Sequence, residues 1–390
     1  MAKVRLDSWK SIAEYLRRSP RTVQRWHAEF GLPIHHFGGG KGPVFCYAEE
    51  LDAWLSGFVQ QGGENAGSEE MLSARTRRSL ELTAQAEALW ELRGEQNLGA
   101  IAMLYRGAVD HNPQNASAFI GIANATVLSV LLGVLRGPAG YPRAADALQR
   151  AQRLGAEGAE ARCAAAWLEL VHERRWGWAR EGFDEVLDRD GQSTHALAGR
   201  ALADVAAGDL EAAAKALKEA WRLNTFASAT TGFLSWVQYL AGESEQALET
   251  IDQSRCGGEM SGVSAAVEVM TRLQYRPTTD GLELAADAAR TYPRCLVLQG
   301  ALGYAYGVSG RESMAREKLH GLSRAQGDSL YATALVLLGL EEQREAMSFL
   351  EASYTEGSLW SLGFQSDPLL KSLWADSRFV ARLKKLVTPM

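Results

Sequence analysis

The chain has 390 residues, of which 46% are hydrophobic and 23% are charged, and its formal net charge is −6. This length exceeds what one ordinary core takes, so we expect two or more folding units, and the composition excludes a disordered or fibrous chain. No apolar run is long enough to span a membrane and residues 1–5 lack an apolar signal segment, so we expect a cytoplasmic protein without membrane contact.

The first elements predicted in the chain are two short helices. Trp9, Ile12 and Leu16 recur at the spacing of one helical face. A second start signal follows at Ser19 and Pro20, since proline is well tolerated at the first helical position. Two short helices joined by a tight turn form the skeleton of a helix-turn-helix.

The outward face of the second helix is the predicted contact surface. If Val23, Trp26 and Phe30 face the core, the exposed side carries two guanidiniums, an amide and a hydroxyl. These groups suit base edges and phosphates.

A hairpin and a closing helix are predicted next. Residues 34–37 and 44–47 have strand character, and the turn between them is rich in glycine and carries Lys41. A hairpin placed directly after a recognition helix is typical of a wing. Residues 49–55 then form a small helix that closes the unit.

Residues 7–56 resemble the winged helix-turn-helix of the MerR and excisionase type, most closely in the pieces SWKSIAEYLRRSPRTVQRW, GLPIHH and YAEELDAWL. The resemblance implies binding to double-stranded DNA, usually as a homodimer or higher homo-oligomer. It places some side chains at the major groove and others at the flanking backbone or minor groove. The implied DNA-binding residues are Arg17, Arg18, Arg21, Thr22, Gln24, Arg25, His35, His36 and Lys41. The long dimer helix and effector site of MerR are missing, so no effector or cofactor is implied.

The charge distribution agrees with a DNA-binding head. Residues 1–60 hold eight Lys or Arg and six Asp or Glu, a net +2, which leaves −8 for the remainder. The positive field is therefore local, as docking on phosphates requires.

The body of the chain reads as helical repeats. From residue 75 onward small residues recur every 34 positions, and a larger apolar residue follows most of them four positions later. The small residues are Ala145, Ala179, Ala213, Ala247, Gly281 and Ala315. This stretch resembles a tetratricopeptide (TPR) array, a stack of helical hairpins.

The predicted fold is therefore mostly α, with a small winged helix-turn-helix domain and an α-solenoid of about seven to eight TPR-like hairpins. The predicted divisions are the DNA-binding domain at 1–58, a Gly-rich linker at 59–74, the solenoid at 75–356 and a C-terminal capping segment at 357–390.

The 34-residue step also predicts a partner groove. One apolar position per repeat would line the inner surface, which suits an amphipathic helix or apolar peptide. The predicted groove residues are Leu168, Leu202, Trp236, Tyr239, Met270 and Tyr304. The alternative is that these residues only pack neighbouring helices.

Catalytic chemistry is not indicated. The chain lacks the phosphate-loop, metalloprotease and nucleophile-elbow motifs, and its four cysteines are scattered without a CxxC pair, so we expect no enzyme, metal or cofactor.

We therefore predict a DNA-binding transcriptional regulator of bacterial type, whose array mediates oligomerisation or senses a protein, a peptide or a small apolar ligand. Two alternatives stay open. One is a TPR interaction scaffold whose head docks on protein rather than DNA. The other is a peptide-receptor regulator with its ligand in the groove.

Overall fold

The computed structural model describes residues 4–16, 19–36, 44–60, 68–90, 97–224, 228–255, 260–273, 279–325, 329–375, 377 and 379–382, some of them, Arg25 included, by their backbone alone. We call residues 4–60 the head and residues 68–382 the array.

The head combines three helices with a small sheet. Its elements are β1 (Arg5–Leu6), α1 (Trp9–Tyr15), α2 (Pro20–Phe30), β2 (His35–His36), β3 (Val44–Tyr47) and α3 (Ala48–Gln60). The three strands are ordered β1-β3-β2 and pair antiparallel, with Arg5 opposite Tyr47 and His35 opposite Phe45. The sequence did not predict β1, because two residues are too few to show strand alternation.

A separate cluster of apolar side chains holds the head together. Ile12, Val23 and Leu51 are fully buried and join the three helices. Cys46 on β3 is buried among them, and burial raises the pKa of its thiol to about 11. The thiol is therefore protonated at neutral pH and acts as a packing group.

The array consists of consecutive helix pairs, eight within the described residues. They are α4 (Ser68–Trp90) with α5 (Leu98–His111), α6 (Ala116–Leu131) with α7 (Gly137–Arg153), α8 (Ala159–Val171) with α9 (Trp176–Arg189), α10 (Thr194–Ala207) with α11 (Leu210–Leu223), α12 (Ser228–Leu240) with α13 (Ser244–Arg255), α14 (Gly262–Leu273) with α15 (Thr279–Thr291), α16 (Leu296–Val308) with α17 (Glu312–Ser323), and α18 (Leu330–Gly339) with α19 (Gln343–Glu356).

The predicted 34-residue step is present in the helices themselves. The first helices of the last five pairs begin at Thr194, Ser228, Gly262, Leu296 and Leu330, each 34 residues after the one before. In the last pair only the second helix, α19, falls out of step. It begins early because α18 has 10 residues where α16 has 13.

Two sequence expectations about boundaries need correction. The predicted linker at 59–74 is helical at both ends, since α3 runs to Gln60 and α4 begins at Ser68; residues 61–67 lie outside the described part. In addition, residues 135–142 are predicted as a long loop of the second repeat, and the structure makes most of them helix, since α7 starts at Gly137 and contains Pro142. Pro138 lacks only an N–H that the first helical turn leaves unpaired in any case, whereas Pro142 lies beyond that turn and removes one hydrogen bond from the helix.

The repeated small residues allow close packing within each pair. Ala179, Ala213 and Ala315 are fully buried, as are Phe183 and Leu217 four residues beyond the first two. A small side chain lets the second helix approach the first, and the larger one fills the space that remains.

Two glycines are required by local geometry. Gly208 ends α10 with φ +84°, a left-handed conformation that glycine adopts without strain. At Gly300 on α16, an added Cβ would lie 2.5 Å from the Cα of Ala332 on α18. The backbones of α16 and α18 therefore meet with no side chain between them.

The array curls so that its last pair returns to its second and third. Arg136, before α7, donates to Glu356 at the end of α19 over 3.1 Å. The hydroxyl of Tyr141 donates to the carbonyl of Gly357, and the guanidinium of Arg174 lies 3.6 Å from the ring centre of Tyr354. Through these contacts the last pair, together with the second and third pairs, encloses the inner face of the array.

Candidate functional site

The inner face of the array has two parts with different occupants. We call the face formed by α12, α14, α16 and α18 the filled half, because residues 357–375 cover it. We call the face formed by α4, α6, α8 and the start of α10 the open half, because it borders a cavity that α2 of the head faces.

Aromatic side chains anchor residues 357–375 in the filled half. This segment forms two 3₁₀ helices, Leu359–Gly363 and Pro368–Ala375. The ring of Trp360 stacks on Tyr331 at 5.4 Å and meets Trp236 edge-on at 5.7 Å. Phe364 stacks on the same tyrosine at 5.9 Å. The sequence predicts a cap at the end of the array, whereas the structure places this segment along the inner face.

A buried carboxylate fixes the register of that segment. Asp367 is only 3% exposed and accepts hydrogen bonds from the hydroxyls of Tyr239, at 2.9 Å, and Tyr331. The backbone N–H of Leu369 donates to it at 3.0 Å. Burial raises the pKa of the Asp367 carboxyl, while these three donors pull the pKa down. Burial and the neighbouring Asp367 also raise the pKa of both tyrosines, so both remain donors.

The predicted partner-groove residues lie in the core of the array and not on an open groove. Leu168, Leu202, Trp236, Tyr239 and Met270 are buried and Tyr304 is partly buried. The 34-residue step did find one position per repeat on the first helices. These positions do not line an open groove because neighbouring helices and residues 357–375 cover their side chains.

The open half borders a cavity of about 1,070 Å³. Its walls are mixed in character, with the amide of Asn124, the carboxylate of Glu160 and the hydroxyl of Ser117 beside the rings of Trp90 and Tyr105. Because polar groups converge there with aromatic rings, the cavity has the composition of a ligand or peptide site more than that of a packing defect.

Two rings of an aromatic stack, Trp90 and His195, line the cavity. The imidazole of His195 lies flat on Trp167, with ring centres 5.1 Å apart, and meets Trp90 edge-on at 5.4 Å. This stack joins α4, α8 and α10, so the wall is held by three different pairs. It gives the open half a rigid surface next to its polar groups.

The other side of the cavity is helix α2 of the head. Arg21, Thr22 and Gln24 line it, whereas Val23 between them points into the head core and is fully buried. The side chain of Ser19 accepts from the N–H of Thr22 at 3.1 Å and so caps the helix. Three of the side chains predicted to contact DNA, Arg21, Thr22 and Gln24, therefore face the array.

Within the described residues, one ion pair crosses between the head and the array. The guanidinium of Arg21 lies 3.5 Å from the carboxylate of Asp190, the residue that ends α9. The Arg21 side chain is 67% exposed, so the pair is well solvated and worth about 0–1 kcal/mol. Sequence reasoning missed Asp190, because a single acid at a helix end has no distinguishing pattern.

The two histidines predicted at the wing point to opposite sides of the sheet. His35 stacks on Phe45 with ring centres 5.1 Å apart, and its Nε2 lies 2.6 Å from Glu50 on α3. The ring of His36 lies 6.2 Å from that of His27 on α2. His35 therefore joins the hairpin to α3. Its ring, which was expected to reach DNA, is engaged in these contacts instead.

The remaining predicted DNA contacts lie outside the described part of the chain. They are Arg17, Arg18, Lys41 and the side chain of Arg25.

The described residues lack a metal cluster and a membrane-spanning helix. No three His, Cys, Asp or Glu side chains there lie close enough together to hold a metal ion. None of the described helices combines the length and apolar character that crossing a bilayer requires.

Comparison with known proteins gives likeness of fold alone. No family model matches the chain, and no curated protein does. Among solved structures, PilF of Pseudomonas aeruginosa is 14% identical with a TM-score of 0.37, over 58% of this chain and 97% of that one. The Cut9–Hcn1 hetero-tetramer of APC/C is 16% identical with a TM-score of 0.49, over 87% of this chain and 60% of that one. A tetratricopeptide repeat protein from Parabacteroides merdae is 11% identical with a TM-score of 0.32, over 80% and 99%.

Proposed function

We propose that the chain is an interaction scaffold whose TPR-like array takes a segment of a partner protein on its open half. The observation that carries this proposal is the cavity of about 1,070 Å³ between the first helices of the early pairs and α2. Concave surfaces of helical-repeat proteins are extended enough to hold a peptide. Polar groups such as Asn124 and Glu160 would fix the orientation of that segment, and the ring of Tyr105 would give it an apolar contact.

The filled half supports the proposal because it already holds a segment of chain on the inner face of the array. There, the same kind of surface already holds an irregular segment through two aromatic anchors, Trp360 and Phe364, and one carboxylate. An inner face built from the same repeat can thus hold a segment that is not α-helical. A partner segment on the open half would be held in the same way, with its polar groups matched to a more polar wall.

A photo-cross-linking experiment tests this function. We would place a photoreactive amino acid at Ser117, which lines the cavity, and at Trp178, which is 61% exposed on the outer helix α9. We expect a cross-linked partner protein, identified by mass spectrometry in the native cell, from position 117 and not from position 178. Equal yields of the same protein at both positions, or no partner at position 117, would contradict the proposal.

We propose, as a second candidate, that the head is a winged helix-turn-helix that binds double-stranded DNA through α2, making the chain a transcriptional regulator. What supports it is the division of α2 into two faces. Val23 is fully buried, while Arg21 and Gln24 are exposed and carry the groups that read base edges and phosphates. The paired strands β2 and β3 follow α2 as a wing would.

Fluorescence anisotropy with a labelled duplex tests the second candidate. We expect the full chain to bind random duplex at low salt, with an affinity that falls steeply as salt is added. On a specific site, Gln24→Ala is expected to cost about 1–3 kcal/mol if the amide reads a base. A matched control is Arg222→Ala, an exposed arginine that pairs with Glu219 on α11. An absence of duplex binding at low salt would exclude this candidate.

The oligomeric state follows from the second candidate. One small head buries little DNA surface, so a homodimer on a two-part site is expected. Light scattering of the full chain, free and with the duplex, checks it, and a monomer in both states contradicts it.

A further inference from the structure

We infer that the open half of the array is a docking surface for helix α2 of the same chain, so that in the resting state the array masks the face of α2 that would contact DNA. A partner segment entering the cavity would displace α2 and release that face. This inference rests on the DNA-binding candidate, and it adds the occupant of the array and the means of control.

The shared cavity provides the first argument. Thr22 and Gln24 on α2 line the same space as Asn124 on α6 and Glu160 on α8. The face of α2 that lies opposite its buried Val23 is therefore turned towards the array across this cavity, although Arg21 and Gln24 keep exposed surface. The two surfaces proposed to bind different partners are opposed to each other.

The charges provide the second argument. Asp190 presents a carboxylate to Arg21 at 3.5 Å, where a DNA phosphate would otherwise be the anionic partner. The carboxylate is held in place because its Oδ1 also accepts from the N–H of Gln192 at 3.2 Å. The array as a whole is acidic and the head is basic, so the long-range field favours the same arrangement.

Space provides the third argument. A helix with its side chains is about 10–12 Å across, and the major groove that receives it is about 12 Å wide, with a phosphate backbone on either side. A duplex on α2 would therefore need the volume on both sides of the helix. In this structure the ends of α9 and α11, with Asp190 and Leu223, border that volume. Docking on the array and binding of DNA exclude each other.

The contact is weak enough to be reversible. The Arg21–Asp190 pair is exposed, and pairs of this kind shift an equilibrium by about five-fold at most. A modest preference for the docked state is what a switch requires, because a partner can shift the population only by its differential affinity for the two states.

The test combines hydrogen–deuterium exchange with duplex binding, both in the full chain. Asp190→Lys reverses the charge that faces Arg21, and Asp188→Lys makes the same change two residues earlier on an exposed side chain of α9. We expect Asp190→Lys to speed exchange in residues 20–30 by about five-fold and to tighten binding to a random duplex by a similar factor. We expect Asp188→Lys to leave exchange unchanged and to alter duplex binding far less.

A second pair of variants guards against simple misfolding. Asp190→Asn keeps the acceptor for Gln192 and should give the same effects at about two- to three-fold. Arg21→Glu combined with Asp190→Lys should restore slow exchange in α2, because the ion pair is rebuilt with its charges exchanged.

The outcomes separate the two proposals. Unchanged exchange in both Asp190 variants overturns the docking of α2 on the array. Faster exchange without any duplex binding at low salt confirms the docking but excludes DNA as what it masks, and the DNA-binding candidate fails with it. Faster exchange with tighter duplex binding supports both.

Discussion

The filled and open halves of the inner face are built on the same repeat and differ in what covers them. The filled half presents Trp236, Tyr239 and Tyr331 and is sealed by residues 357–375. The open half presents Asn124 and Glu160 and borders a cavity. One half therefore contributes to stability, and the other has surface left for binding. The repeat fixes the helices, and a few inner side chains decide the role of each half.

The largest expected effect on stability comes from removing an aromatic anchor of residues 357–375 in the filled half. Trp360→Ala removes an anchor that stacks on Tyr331 and should lower the free energy of unfolding by about 3–5 kcal/mol. Urea denaturation followed by circular dichroism measures it. Trp178→Ala, on an exposed side chain of α9, should change stability by about 0.5 kcal/mol or less. If both variants behave alike, the segment is only loosely attached and the contrast between the halves fails.

Removing one hydrogen bond to Asp367 should have the next largest effect. Tyr331→Phe keeps the ring stack but deletes a donor to a buried carboxylate, which is expected to cost about 1.5–3 kcal/mol. The same denaturation measurement checks it. Tyr306→Phe, in the neighbouring helix α16, is the matched control and should be close to neutral. A neutral Tyr331→Phe would mean that the carboxyl is already protonated and needs fewer donors.

The pH dependence of stability should also report the protonation of Asp367. Burial raises the pKa of Asp367 above its usual 3.8, so the folded state holds the proton more tightly than the unfolded chain does. The contribution of this group is therefore most favourable below about pH 4 and declines as pH rises through the raised pKa. Stability curves of the wild type and Asp367→Asn, measured from acid to neutral pH, should diverge in that direction. Parallel curves would show that the carboxyl titrates normally.

The smallest effect is expected in the open half. The Oδ1 atom of Asn124 is buried, and no hydrogen-bond partner for it is found in the described part of the chain. Asn124→Ala should therefore leave stability within about 0.5 kcal/mol of the wild type, or raise it slightly. Thermal unfolding measures it, and a large loss would show that this wall is structural like the filled half.

Much of the fold follows from the sequence for a plain physical reason. The 34-residue step is a local packing requirement, so the small residues at Ala179 and Ala213 identify the helix pairs. Strand β3 and the start of α2 were also predicted, because the apolar run at residues 44–47 and the signal at Pro20 are local.

The candidate site was less predictable, since it depends on contacts between distant parts of the chain. Nothing near Trp236 in sequence indicates that Trp360 covers it, and the groove prediction failed for that reason. Likewise, Asp190 can be recognised as part of the site only in the folded chain, where Arg21 lies beside it. Acids on helical repeats are usually solvated, and no local pattern separates this one from the others.

The close meeting of α16 and α18 at Gly300 has a mechanical consequence. Where two backbones touch, there are no compressible side chains between them, so this joint behaves as a stiff clamp. Relative movement of neighbouring helices should therefore be smaller between α16 and α18 than where side chains separate two helices.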